Sequence, residues 1–192
     1  MSYKFIYIDS KENIEVHTPT IVDVFSALFN VNKYVANKHS IILYYENTYL
    51  SSISAIISNL VEDMYIDLRV YESRVYNSLE AIDKDLDFAI KLIDELPFYQ
   101  VKYLNNKELL KSGLDKITQK LKKLVLGSFY DDNEMLKTVK LFLENNQNST
   151  NASKELYIHR NTLNQRLDKF EAETGFNVKT FYDAFLIYHL LI

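Results

Sequence analysis

The run Leu156-Tyr157-Ile158-His159-Arg160-Asn161-Thr162-Leu163-Asn164-Gln165-Arg166-Leu167 decides how this chain is read. Leu163, Leu167 and the following Phe170 are spaced four and three apart, which is one stripe of an α-helix. The spacing predicts a helix from His159, its N-cap, to about Thr174, with Gly175 as C-cap. Upstream, Thr150 reads as the N-cap of a short helix ending near Leu156. Ala152 and Leu156 share its inner face, and the small Ala152 lets another helix approach closely. Tyr157-Ile158 is then a tight link, and two short helices joined this way make a helix-turn-helix. Before them, Asp131 and Glu134 cap a helix that carries Met135, Leu136, Val139, Phe142 and Leu143 to about Asn146. A polar loop, Asn146-Gln147-Asn148-Ser149, connects it to the motif.

The outer face of the second helix points to chemistry. Arg160, Asn161, Asn164, Gln165 and Arg166 cluster in its first half. Arginine pairs bidentately with guanine, and asparagine or glutamine with adenine, in the major groove. A reading helix contacts bases mainly through its first turns. Arg160, Asn161, Asn164 and Gln165 are therefore expected to face base edges, and Thr162, Arg166 and Lys169 to face phosphates. The expected partner is double-stranded DNA.

These residues also carry a family resemblance. Leu156 to Leu163, with Arg166-Leu167, Glu171 and Thr174-Gly175, resembles the C-terminal helix-turn-helix of PucR/CdaR-type transcriptional regulators. Phe142-Leu143-Glu144-Asn145-Asn146 with Asn148 is similar to that family's lead-in helix and loop, and Phe181 to Ile192 to its closing helix. The resemblance covers about residues 135–192. It implies a bacterial regulator whose head follows a degenerate GGDEF-like α/β domain, often acting in response to a metabolite. The sequence does not identify such an effector. Two positions depart from the family pattern: Asp168 replaces a basic residue and Glu173 an apolar one. Residues 131–192 hold seven Lys+Arg against nine Asp+Glu, a net of −2.

Composition excludes several classes. The 192 residues suit one large domain or two small ones. With 22 Lys+Arg against 26 Asp+Glu, the net charge of −4 argues against DNA binding through bulk charge alone. Cysteine is absent, which removes disulfides, thiol nucleophiles and cysteine–zinc sites. The only glycines are Gly113, Gly127 and Gly175, so no phosphate-cradling loop or intact GGDEF signature exists. No apolar stretch approaches the roughly 18 residues of a membrane span, and the start carries no secretory signal pattern. A cytoplasmic protein is expected.

Tyr3-Lys4-Phe5-Ile6-Tyr7-Ile8 reads as a strand, and Ile14 to His17 as a short second one. A helix is expected over about Ile21–Asn30, a buried strand over Ser40–Tyr45, a helix over 50–63 and a strand over Ile66–Tyr71. The last three suggest a βαβ unit. Leu79, Ile82, Leu86, Ala89, Ile93 and Leu96 predict a helix ended by Pro97. Leu110, Leu114, Ile117, Leu121 and Leu124 repeat the spacing, with Gly113 a weak point and Gly127 a stop. Either stripe is core packing or a dimer seam, and the closing helix with Phe181, Phe185 and Leu186 is a further seam. Seven lysines lie between Lys102 and Lys123 against Glu108 and Asp115, a solvated helix face or a surface that tracks a DNA backbone.

His159 reads as structural, and His17, His39 and His189 lack metal spacing. On a helix only Asp83 and Asp87, not Asp85, share a face, so no metal site is expected there. Tyr44, Tyr45 and Tyr71 are core residues or the lining of a small pocket. The fold expected is α+β: an α/β domain over 1–97, a helical connector over 98–130 and an all-α helix-turn-helix domain over 131–192. The function expected is DNA-binding transcriptional regulation by a homodimer with no enzymatic activity, cofactor or membrane contact. The alternative is a dimeric protein-interaction adaptor with a helix-turn-helix relic that does not bind DNA.

Overall fold

Apolar and aromatic side chains on both faces of Tyr3–Asp9 make this segment, β1, a strand covered on two sides. In the computed structural model, which describes residues 2–46, 53–99 and 102–192, Phe5 to Asp9 are all buried. The chain divides into two units, Met1–Asn105 and Asn106–Ile192.

In the first unit, β1 is followed by α1 (Thr18–Leu28), β2 (Val31–Ala36), β3 (Ser40–Glu46), α2 (Ile53–Met64), β4 (Arg69–Glu72), α3 (Leu79–Asp94) and β5 (Tyr103–Leu104). Among the described residues the strands form one sheet in the order β2-β3-β1-β4-β5. The β1 strand pairs antiparallel with β3 and β4, β2 pairs antiparallel with β3, and β5 pairs parallel with β4. The expected βαβ unit is thus split: β3 and β4 run parallel with β1 between them. With β1-α1-β2 arranged likewise around β3, the unit has a ferredoxin-like βαββαβ core. One face of the sheet, with Ile6, Ile8, Ile41 and Leu43, packs on Ile21 and Phe25 of α1 and on Ile57 and Leu60 of α2. The other face takes α3, whose Ile82, Leu86, Ala89 and Ile93 are buried. That stripe is core and leaves no seam for a dimer.

Several local expectations shift. Glu15–His17 is a 3-10 turn rather than a strand: it pairs with no strand among the described residues, and Val16 is 84% exposed. Thr18-Pro19 forms the first turn of α1, which starts earlier than expected because proline is pre-set for that position. Ile66 and Leu68 are buried, but backbone pairing begins only at Arg69. The first residues of the helix expected over 50–63, 50–52, lie outside the described residues. The β2 strand was not foreseen; five of its six residues are exposed, so it lacks the alternation that marks a half-buried strand. Tyr44, Tyr45 and Tyr71 are core: Tyr44 Oη donates to Asp83 Oδ1 at 3.4 Å and Tyr45 Oη to Glu72 Oε1 at 3.2 Å.

The second unit holds α4 (Asn106–Ser112), α5 (Gln119–Leu126), α6 (Asn133–Glu144), α7 (Ser149–Glu155), α8 (Arg160–Thr174) and α9 (Phe181–Leu191). The residues read as a connector, 98–130, divide between the units at Asn105. From 106 onward, Leu109, Leu110, Leu121 and Leu124 are buried, with α4 packed on α9 and α5 on the 127–131 turn. The stripe expected as one helix over 110–124 breaks at Gly113. A Cβ there would sit 2.6 Å from Leu121 Cδ2, so any larger residue would have to displace that side chain of α5. The α5 helix restarts at Thr118, whose hydroxyl accepts from Leu121 N at 3.1 Å.

Candidate nucleic-acid interface

The second unit positions α8 by burying one side and capping both ends. Leu163, Leu167 and Phe170 are buried as the spacing requires, and Phe170 stacks on Phe129 with ring centroids 5.5 Å apart. His159 caps the N-terminus, its Nδ1 accepting from Asn161 N at 3.2 Å. Gly175 ends the helix at φ +81°, a conformation that any side chain would strain.

The turn between α7 and α8 is a Schellman motif. Ile158 N donates to Ser153 O at 3.0 Å and Tyr157 N to Lys154 O at 3.1 Å, with Tyr157 in the left-handed region at φ +55°. Tyr157 is 95% exposed. The α6 helix ends in the same way, Gln147 N reaching Phe142 O at 2.9 Å across Asn146 and Gln147, both at positive φ. The two N-caps lie beside the positions expected. Asp132, not Asp131, accepts from Met135 N at 2.9 Å. Asn148, not Thr150, accepts from the amides of Thr150 and Asn151 at 3.0 and 3.1 Å. In each case the backbone turn into the helix selects which of the nearby polar residues faces the free amides.

Of the seven residues expected to meet DNA, Arg160, Asn161 and Gln165 are exposed together on the first two turns of α8. Thr162 and Asn164 are half-buried, and Ser149 Oγ lies 3.5 Å from Asn164 Oδ1. Arg166 is turned toward α6: Nη2 donates to Glu134 Oε1 at 2.6 Å and Nη1 to Thr138 Oγ1 at 3.1 Å. Lys169 is exposed, 3.9 Å from Glu173 and above the Phe129 ring. The carboxylate of Asp168, the position that departs from the family pattern, is paired with Lys179 at 2.5 Å. Thr138 and Lys179 were not singled out from sequence, and Glu134 was read only as a helix cap, because each reaches α8 from another element.

Residues 135–192 match the PucR C-terminal helix-turn-helix domain, so this segment is a helix-turn-helix of the PucR type. A Bacillus subtilis protein described as uncharacterized, YxkF, is 31% identical over 140 residues, 69% of this chain. The chain spans 47% of that relative's length. Among solved structures, a regulator of polyketide synthase expression from Bifidobacterium adolescentis is similar with a TM-score of 0.45 and 16% identity, over 100% of this chain and 80% of that one.

Proposed function

We propose that this protein is a bacterial transcriptional regulator that reads double-stranded DNA through α8, as a homodimer. The observation that carries the reading is the PucR-type helix-turn-helix with Arg160, Asn161 and Gln165 exposed on the first two turns of its second helix. Arg160 suits guanine and the two amides suit adenine. Arg166 serves first to fix the angle of α8 against α6, and Lys169 stays exposed for a phosphate.

Pairing of heads supports the dimer, since one reading helix covers few base pairs and helix-turn-helix proteins commonly place two heads about 34 Å apart. A seam is available on α9, where Phe181, Phe185, Tyr188 and Ile192 lie exposed on one stripe beside an open groove of about 440 Å³. Leu186, the third residue expected in that seam, is buried in the unit's own core instead. The split βαβ topology of the first unit supports kinship with a degenerate GGDEF-like domain, and the absence of glycine there removes the nucleotide loop.

A gel shift of the full chain with genomic fragments at two salt concentrations tests the reading, because phosphate contacts make true DNA binding fall with salt. The expected result is salt-dependent retardation of particular fragments, weakened in Arg160→Ala. No retardation of any fragment leaves the adaptor, a dimer whose helix-turn-helix meets a protein.

A further inference from the structure

The charge of this chain is segregated between its two units. Residues 1–105 hold nine Lys+Arg against 15 Asp+Glu, a net of −6, while 106–192 hold 13 against 11, a net of +2. Within the second unit the helix-turn-helix segment 131–192 is itself at −2, so the positive excess comes entirely from 106–130. That segment has six lysines against Glu108 and Asp115. Lys107 pairs with Asp183 at 2.6 Å and Lys111 with Glu108 at 3.7 Å. Lys116, Lys120 and Lys123 are exposed on and just before α5.

This lysine surface is fixed to the reading head. Leu121, Leu124 and Val125 bury the inner face of α5, so its lysines point outward from a packed helix rather than a loose tail. The α5 helix runs straight into the 127–131 turn, where Phe129 stacks on Phe170 of α8 and Ser128 Oγ donates to Glu173 Oε2. Phe170 lies ten residues beyond Arg160, about 15 Å along the helix. That is under half of the roughly 34 Å of one DNA turn.

Accumulation of counterion-releasing contacts is what gives a DNA-binding protein its sequence-independent affinity. The helix-turn-helix segment, with its own acidic excess and with Arg166 turned to Glu134, supplies little of this. We infer that the exposed lysines on and just before α5, Lys116, Lys120 and Lys123, are an auxiliary contact for the DNA sugar-phosphate backbone, supplying affinity while α8 supplies sequence preference. This rests on the DNA-reading function proposed above.

The test measures binding of the full chain to a short mixed-sequence duplex and to the best-retarded genomic fragment, over a series of salt concentrations. The variant is Lys116→Gln/Lys120→Gln/Lys123→Gln, in which glutamine keeps helix propensity. Its control is Lys38→Gln/Lys84→Gln/Lys91→Gln, three exposed lysines of the first unit. The α5 variant is expected to lower the slope of log affinity against log salt by about 2–3. It should weaken both duplexes alike, on the order of 10–100-fold at low salt, with the melting temperature and fragment preference unchanged. The single variant Lys123→Gln should lower the slope by about one. An unchanged slope in the triple variant, or an equal fall in the control, overturns the inference. Should that happen while Arg160→Ala still relaxes preference at one base pair, the reading of α8 stands and only the α5 contact falls. A wild-type chain that binds neither duplex overturns both.

Discussion

Arg69 is the largest fully buried side chain of the molecule's described residues, and it is 1% exposed. Its Nε and Nη2 donate to the Asp9 carboxylate at 3.0 and 2.7 Å, Nη1 donates to Leu96 O at 3.0 Å, and Phe98 lies over the guanidinium. Burial nonetheless pushes the Asp9 carboxyl above its ordinary range against the pull of Arg69. Asp9 and Arg69 stand opposite each other in the β1–β4 pairing, and Asp94 Oδ1 lies 3.6 Å from Nη2. Asp9→Ala is expected to cost about 3–5 kcal/mol in denaturant unfolding, because it leaves a buried cation with only the exposed Asp94 carboxylate at 3.6 Å. Replacing both residues with apolar ones, Asp9→Leu with Arg69→Met, should be near neutral or stabilising. If the double variant loses as much as the single, the pair is stabilising in its own right. On α8, Arg160→Ala should reduce affinity by about 1–3 kcal/mol and relax preference at one base pair, read from a selection of binding sequences. A uniform loss across sequences instead would make Arg160 a phosphate contact.

The turn between α7 and α8 sets the angle of the reading helix, and it does so with tyrosine where glycine is usual. Tyr157 holds a left-handed conformation that costs a non-glycine residue about 1–2 kcal/mol. Its side chain, 95% exposed, recovers little of that by packing. Tyr157→Gly is thus expected to raise stability by about 1 kcal/mol in thermal unfolding, and a fall would mean that the ring packs in solution. Leu167→Ala should act through the same element by packing alone, losing about 2–5 kcal/mol with no change in base preference. The Arg166–Glu134 pair is weaker than its 2.6 Å suggests. The Glu134 carboxylate is 75% exposed, so water screens it, and Glu134→Ala should change stability by less than about 1 kcal/mol.

Across the molecule, buried tyrosines of the first unit make it sensitive to alkali. Burial pushes the Tyr7 phenol up to about 12, and burial likewise pushes those of Tyr45, Tyr71, Tyr76 and Tyr103 well above the ordinary value of 10.0. The folded state holds these protons more tightly than the unfolded chain. The stability they contribute is complete below pH 10 and is lost as pH rises through their folded values. Far-ultraviolet circular dichroism against pH should show the sheet unfolding as tyrosinate absorbance appears. Phenols that ionise near 10 with the sheet intact would contradict the burial described here. Every tyrosine of this group lies within residues 1–105, so the α8 unit should lose its helices at a different pH.

Local signals account for what the sequence determined by itself. Leu163, Leu167 and Phe170 place α8 in register because helical burial depends only on spacing, and His159 and Gly175 end it through their own backbone conformations. The strands β1 and β3 declare themselves by dense β-branched and aromatic content. Tertiary structure alone decided the rest. The exposed edge strand β2 exists only because β3 offers it hydrogen bonds, and β1 enters between β3 and β4 through pairing across 30 or more residues. Which acid caps α6, and whether Asp168 is bare or paired with Lys179, depends on where neighbouring backbone turns. So does the aim of Arg166, whose partners Glu134 and Thr138 lie about 30 residues away on another helix, beyond the reach of any periodicity.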